Sequence, residues 1–593
     1  MSKPVVIATG VTTMAEQFLL SDLRISEPAS ALSRVPGPDQ WGTYEYETAS
    51  VRGVALYCRP FANPPELTIP ISGVGWHRIY VGIHYGHTYD SYAAKLKVQV
   101  PDQFIWLRLS SDRAHDLIEP EYYPASDAAG AGHAFGFTDI VQVLWRCADV
   151  TGQTLHVAPR RTARYPGPPA GIAWLRLEQM TAAEIEAETS GSAGDTRRLI
   201  YIADTDLHEA WPTAVSDVQR LLEPLAGSDF SHVLWTTSLG DICSYPSPAF
   251  PRAFVVDGAD SPYGYPHSAR TPSFDVLAAV ADVCHELGLR VHGLMRPVAS
   301  RMPPLHWPRA EHNLFHDHPE LRQSGRGGEP VGHYSFAHPR VRETLLAVLR
   351  EQVTRYPLDG VHLLFNRGWP FVGYEQHVVD AFMQAHGDDP RDIDPRDPRW
   401  LRHKSGYMSL FVGDVRRMLD EVSRQRGRRL ELSVTVMAGL EQCMLLGLDV
   451  AHWLAEGWID HLVIHPCWLP NRWQDTDVSA TMSVTPERIA EVVDLAAVSG
   501  CRVYPDVYPR YIGAVEYARR AAEYYAAGAD GLCFWDTYCR VPRKSEWSAI
   551  RRLGHVDKLA DLTRCAESFR TVVSLVSAAG MSLDPAHTPG TNG

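Results

Sequence analysis

At 593 residues the chain is longer than one hydrophobic core organises, so two domains are the natural division. Apolar residues make up 45% and charged residues 21%, the balance of a globular protein rather than a disordered or fibrous one. The net charge of −14 argues against a nucleic-acid partner, which needs a basic surface, and no run is long and apolar enough to serve as a membrane span. The opening stretch MSKPVVIATGVTTMAEQ has one lysine, a short apolar run and no cleavage pattern, so no secretory signal is read and a cytoplasmic location is expected. Ten cysteines without a CxxC pair are expected to be buried, reduced thiols.

From about residue 41 to 180 the chain shows short strand-like runs separated by Gly, Pro, Asp and Ser, at 54–57, 76–83, 95–100, 104–109, 140–144 and 172–177. No apolar stripe of helical period interrupts them, which predicts an all-β, jelly-roll-like sandwich over residues 1–195. His77, His84, Tyr85, His87 and Tyr89 would line a carbohydrate-binding face there, or pack the strands against the next domain. Residues 181–195 read as a short helix and a linker, which sets the boundary.

After Arg197 the pattern changes to strand, loop and helix, repeated. Strands are predicted at 199–203, 232–236, 290–295, 361–365, 431–436, 461–464, 502–504 and 531–534. Helical periodicities lie between them at 215–225, 274–287, 341–353, 407–423, 486–498 and 514–527, and Gly punctuates their ends in ELGLRV, AVSGCRV and AAGADGL. Eight such units predict an α/β fold of the (β/α)8 TIM-barrel type over residues 196–578, with a disordered tail over 579–593. A doubly wound open sheet would carry a glycine-rich phosphate turn after an early strand, and none is present. The glycine-rich QSGRGGEP lies between helical and irregular segments and reads as a flexible loop.

Barrel active sites sit where the strands end. The first end offers Asp204 and Asp206, the second Trp235 and Asp241, the third Arg296, and the fourth Asn366, Arg367, Trp369, Tyr374 and Glu375. The fifth offers Glu441, the sixth His465 and Trp468, the seventh Asp506 and Tyr508, and the eighth Trp535 and Asp536. Aromatic rings take the C–H faces of sugars and carboxylates take their hydroxyls, so this collection points to a carbohydrate substrate. Cleaving a glycosidic bond needs one carboxyl held protonated and one held ionised. Glu375, beside Trp369 and Tyr374, suits the acid, and Asp506, between two tyrosines and near Arg510, suits the ionised role. Glu441 and Asp536 are the substitutes for either.

Several stretches carry a family likeness: SFAHPRVRETLL, DGVHLLFNRGWPFVGYE, VVDAFMQAHG, DPRWLRHKS and GLDVAHWLAEGWIDHLVIH in the barrel half, and GWHRIYVGIHYG, WRCADVTGQTLHV and GIAWLRLEQM before it. Through them the chain resembles the glycoside hydrolase family ten-like group of bacterial barrel proteins with a companion sandwich domain. The resemblance implies a retaining barrel glycosidase. Many relatives have an Asp in the fourth strand where this chain reads HLLFNRG, a departure that shifts attention to Glu375 and Glu441.

Two other readings use the same fold. A metal-dependent isomerase, aldolase or hydrolase would ligate its ion with His292, His362, His465, Asp506 and Asp536, or with HNLFHDH at 312–318. His292 and His362 lie inside strands, where core histidines are commoner, and HNLFHDH reads as a solvated loop, so no metal is expected. A non-catalytic carbohydrate-binding protein would keep the aromatics and dispense with the carboxylates. No cofactor is expected, because there is no dinucleotide fingerprint and Lys404, Lys544 and Lys558 end no strand. The expected partner is a small carbohydrate or glycoside, without nucleic acid or membrane.

Overall fold

The computed structural model describes residues 12–14, 17–58, 62–85, 105–112, 116–118, 139–159, 170–189, 196–204, 212, 214–252, 274–297, 312–366, 369–466, 484–507, 512–536, 541, 546–560, 562 and 570–583. The run at 95–100 and the residues after 583 lie outside them.

The second half contains eight parallel strands, labelled β1 (Leu199–Ala203), β2 (Phe230–Leu239), β3 (Arg290–Arg296), β4 (Gly360–Leu364), β5 (Glu431–Met437), β6 (His461–His465), β7 (Arg502–Pro505) and β8 (Leu532–Asp536). Each pairs with its neighbour in chain order, and β8 returns to β1 in register Leu199 with Leu532 to Ala203 with Asp536. The remaining seam, between β7 and β8, is a bridge between Asp506 and Cys533, with Val507 N–H donating to Cys533 O at 2.9 Å and Asp530 N–H to Val503 O at 3.0 Å. The sheet is thus nearly closed into a TIM-like barrel.

Helices return the chain between strands, and their ends follow local chemistry. The longest, Pro398–Arg426, starts with Pro at its first turn and Asp397 accepting from Arg399 N–H, and ends at Gly427 with φ of 68°. Its buried residues Leu401, Ser405, Met408, Phe411, Val415, Met418 and Val422 recur at three- and four-residue spacing. From Met408 onward they join the strands' outer side chains, among them Val233, Val361, Val434 and Leu462, in one apolar layer.

Among the described residues the first half is mainly β, with one α-helix at Ala182–Thr189 near its end. Its larger sheet runs Thr12–Met14, Gln17–Leu20, Ala170–Gln179, Arg52–Tyr57, Trp41–Thr48, Arg570–Ala578, Asp139–Asp149 and Trp76–Tyr85. Ala170–Gln179 also pairs with Trp76–Tyr85, so this sheet bends back to meet itself. Bulges between Leu144 and Arg146, Ile172 and Trp174, and Leu575 and Ser577 accompany that bend. Gly82 lets Trp174 lie against the backbone, since a Cβ there would meet the indole at 2.5 Å. A second antiparallel sheet, Leu67–Pro70, Thr154–Pro159, Ile105–Leu109 and Asp116–Ile118, shares an apolar cluster with the first through Leu67, Leu107 and Val157 against Val81, Val141 and Leu175. Tyr80 and Leu144 pack on Ala514, Ala549 and Leu562 and tie the first half to the barrel's helices.

Two elements differ from expectation. QSGRGGEP is the turn of a hairpin between Arg322–Ser324 and Pro330–Tyr334, with Gly325 N–H donating to Glu329 O. Arg570–Ala578, assigned by sequence to the barrel half, lies between Trp41–Thr48 and Asp139–Asp149 in the first sheet, so the two ends of the chain share one sheet. A chain truncated before Arg570 therefore exposes two interior strands as edges. It is expected to aggregate on size-exclusion chromatography or to melt several degrees lower, and an unchanged elution and melting profile counts against this role.

Candidate active site

Successive side chains in a strand face opposite sides, so residues two apart share the barrel interior. Ile202, Leu234, Leu294, Leu364, Val463 and Tyr504 belong to one buried inner cluster. Two residues further along the same strands stand Asp204, Thr236, Arg296, Asn366, His465 and Asp506. The C-terminal layer of the barrel is therefore polar by register alone.

Asp204 is fully buried and its two oxygens are engaged from three strands. Arg296 Nε donates to Oδ1 at 2.9 Å and its Nη2 to Oδ2. Trp535 Nε1 donates to Oδ2 at 2.9 Å and Thr236 Oγ1 to Oδ1 at 3.3 Å. Asp506, 1% exposed, accepts Trp535 N–H at 2.9 Å on Oδ1 and meets His465 Nδ1 at 2.7 Å on Oδ2. The Trp535 ring stands edge-on to His465 with centroids 4.4 Å apart. Trp535 thus links two carboxylates, one through its indole and one through its backbone. A carboxylate on Nδ1 fixes the orientation of His465.

Burial raises the Glu375 carboxyl above its usual range, opposed by hydrogen bonds from Ser324, Ser335 and Gly373. Gly373 N–H lies 3.2 Å from both oxygens and Ser324 N–H 3.3 Å from Oε1. The residue stands at the N-cap of Gln376–His386 and ties that helix to the hairpin. Lys404, pushed down to about 8 by burial, feels the Glu375 charge as its opposing influence. Among the described residues these contacts of Glu375 run to the hairpin and the helix start, not to Asp204 or Asp506. Asp241, 5% exposed, accepts Leu314 N–H at 2.6 Å at the start of a short helix, and burial pushes its carboxyl up to about 6. Glu441 is exposed in the first turn of Leu440–Leu445.

Among the aromatics, Trp235 alternates with Leu234 and Thr236 and packs, 2% exposed, in the outer layer against the helices, so it does not face the barrel interior as a ligand contact would. Trp369 is buried in the same layer, and Tyr374 lies on Trp400 with ring centroids 5.0 Å apart. Asn366 is fully buried just beyond β4. Asp536 is the last residue of β8, and Asp206, Arg367, Trp468 and Tyr508 lie outside the described residues. Thr236 is the member of the layer that the sequence reading passed over, and its signal was the two-residue spacing from Leu234.

The other end of the barrel interior is also polar. His232, His292 and His461 surround Glu431, with each Nε2 3.4, 3.1 and 3.3 Å from Oε2. His362, at the next level, contacts Ser433 Oγ and Thr435 Oγ1 at 2.8 Å each. Burial pushes His232 down to about 3. Burial also opposes ionisation of Glu431, but the surrounding imidazoles outweigh it and hold the carboxyl well below its usual range.

Residues 261–499 match the model of the family described as glycosyl hydrolase-like 10, the group the sequence resembles. An S-layer-related protein of Niallia circulans is 24% identical over 212 residues, and the match spans 31% of this chain and 13% of that relative. An alpha-L-fucosidase isoenzyme from Paenibacillus thiaminolyticus superposes with a TM-score of 0.38 at 13% identity, over 63% of this chain and 50% of that one. A beta-galactosidase from Marinomonas ef1 gives 0.38 at 15% identity, over 63% and 61%. An alpha-galactosidase from Thermus thermophilus gives 0.31 at 14% identity, over 88% and 89%. No helix among the described residues is long and apolar enough to cross a membrane.

Removing Arg296 leaves the buried Asp204 without a cationic partner, so Arg296→Met should cost about 3–5 kcal/mol in urea unfolding. Asp204→Asn combined with it should cost less than the sum of the two single changes. At Asp241 the folded-state pKa is raised from 3.8 to about 6, so the native chain binds more protons between those values and loses stability as pH rises through them. Relative to Asp241→Asn, the natural chain should gain up to roughly 3 kcal/mol on acidification from above that window to below it. Parallel pH profiles of unfolding would contradict the assignment.

Proposed function

We propose that the protein hydrolyses an O-glycosidic bond of a small carbohydrate or glycoside at the C-terminal face of the barrel. The observation that carries this reading is Asp506, buried at the end of β7 and fixed by His465 Nδ1 and Trp535 N–H. Two donors hold this carboxylate in one orientation. In this role it meets positive charge developing at the anomeric carbon, either by attacking it or by activating water. Asp204 and Arg296 hold Trp535 from its indole edge, so the aromatic surface beside Asp506 keeps one orientation. The match of residues 261–499 to a glycosyl hydrolase-like family supports the same class of chemistry.

The second carboxyl donates a proton to the leaving oxygen and must stay protonated near neutral pH. Glu375 is our first assignment, because burial raises it, with Asp536 and Glu441 as the alternatives. The sandwich of the first half, completed by Arg570–Ala578, is an accessory domain to this site.

The test is turnover on a panel of aryl glycosides and oligosaccharides. Asp506→Asn should lower kcat by about 10²–10⁴-fold with its melting temperature retained. The acid is the residue whose amide variant loses more on poor leaving groups than on good ones, tried as Glu375→Gln, Glu441→Gln and Asp536→Asn. Turnover that survives all four changes contradicts the carboxylate mechanism. Carbohydrate binding without turnover on any substrate favours a binding protein instead.

A further inference from the structure

The N-terminal end of a barrel interior is ordinarily filled by branched apolar side chains. Here it holds His232 from β2, His292 from β3, Glu431 from β5 and His461 from β6. The three histidines are 4%, 0% and 4% exposed in that order of sequence. Burying so many polar groups is costly unless each finds a partner. His292 does, through Ser433 Oγ at 2.9 Å and Glu431 Oε2 at 3.1 Å. His232 Nε2 and both ring nitrogens of His461 have no well-aligned hydrogen-bond partner among the described residues. Yet His232 Nε2 and His461 Nε2 lie only 3.4 and 3.3 Å from Glu431 Oε2.

Close approach without hydrogen-bond alignment is what ligands of a shared ion show. For metal–ligand bonds of 2.0–2.1 Å the edge of a coordination tetrahedron is about 3.3 Å. The donor atoms of His232, Glu431 and His461 all lie within 4.8 Å of one another. Two imidazoles and one carboxylate are a donor set suited to zinc. We propose that His232 Nε2, His461 Nε2 and Glu431 Oε2 bind a divalent transition-metal ion of the zinc class, which staples β2, β5 and β6 across the closed end of the barrel.

The surroundings support the ligands. Ser231 Oγ lies 2.7 Å from His232 Nδ1 and orients that ring, while His292 steadies the Glu431 oxygen. Arg290 takes the other oxygen, Oε1, and its side chain reaches solvent. Gly360, beside the cluster, leaves the needed room, since a Cβ there would come within 2.9 Å of His292 Nε2. This site lies at the opposite end of the strands from Asp204 and Asp506, so its role is structural and independent of the glycosidase reading.

The test uses the full chain, produced without a histidine tag in zinc-supplemented and in cobalt-supplemented medium. Elemental analysis after gel filtration should find about one zinc per chain. His232→Ala/His461→Ala and Glu431→Gln should lose it, while the exposed His312→Ala should keep it. The cobalt form should show visible d–d absorption from Co²⁺ held by nitrogen and oxygen ligands, a readout that needs no variant should the altered chains fail to fold. A natural chain with no bound zinc and no rise in melting temperature on adding Zn²⁺ overturns the proposal. Undiminished zinc in the two ligand variants, or a cobalt form without such absorption, overturns it as well.

Discussion

Alternation of side chains along eight nearly closed parallel strands decides what every residue of the barrel can do. Once β8 pairs with β1 and Asp506 bridges Cys533, each strand has an inside and an outside, and a shift of one residue exchanges them. On β5 the outward Leu432, Val434 and Val436 join the layer under the helices, while the inward Ser433 and Thr435 meet His362. The inner column carries an apolar cluster in its middle, interrupted by His362, Ser433 and Thr435, and is polar at both ends. Its two polar ends are the places where stability and chemistry separate.

The polar layer at the C-terminal end is held by charge and by hydrogen bonds together. A carboxylate as buried as Asp204 is tolerable only because Arg296, Trp535 and Thr236 all donate to it. The same tryptophan donates its backbone N–H to Asp506, so the arrangement of one carboxylate is coupled to that of the other. This rigidity is what an active site needs from its scaffold, because reacting groups must be held to within fractions of an ångström. Glu375 is built differently. Its carboxyl accepts from the amides of Gly373 and Ser324 at a helix start, which fixes a loop as well as a charge.

Much of this was legible in the sequence. The eight strands and most of the helices between them fall within a few residues of the periodicity, because alternation, helical spacing and terminal glycines such as Gly288 and Gly500 are local signals. Pro398–Arg426 starts nine residues before the predicted 407, and Gln376–His386 was not among the predicted helical periodicities. Which residue faces inward was legible too, but only by counting in twos: Trp235 is more conspicuous than Thr236, yet the register gives the interior to Thr236. What was not legible depends on distant pairing. Arg570–Ala578 reads as a strand anywhere, and only its partners Trp41–Thr48 and Asp139–Asp149 put it in the first sheet. The glycine-rich 325–328 turn reads as a loop until the flanking residues pair. The gathering of His232, His292 and His461 on Glu431 joins residues up to 229 positions apart, and no local pattern announces it.

The proposed glycosidase chemistry requires carbohydrate to bind over Trp535 and Asp506 at the C-terminal mouth of the barrel. A crystal structure of the Asp506→Asn chain soaked with an oligosaccharide tests it most directly. A sugar ring is expected at that mouth, with a hydroxyl or the ring oxygen within about 2.6–3.2 Å of residue 506. Sugar bound only on the N-terminal sheets, with the mouth left to solvent, would contradict it.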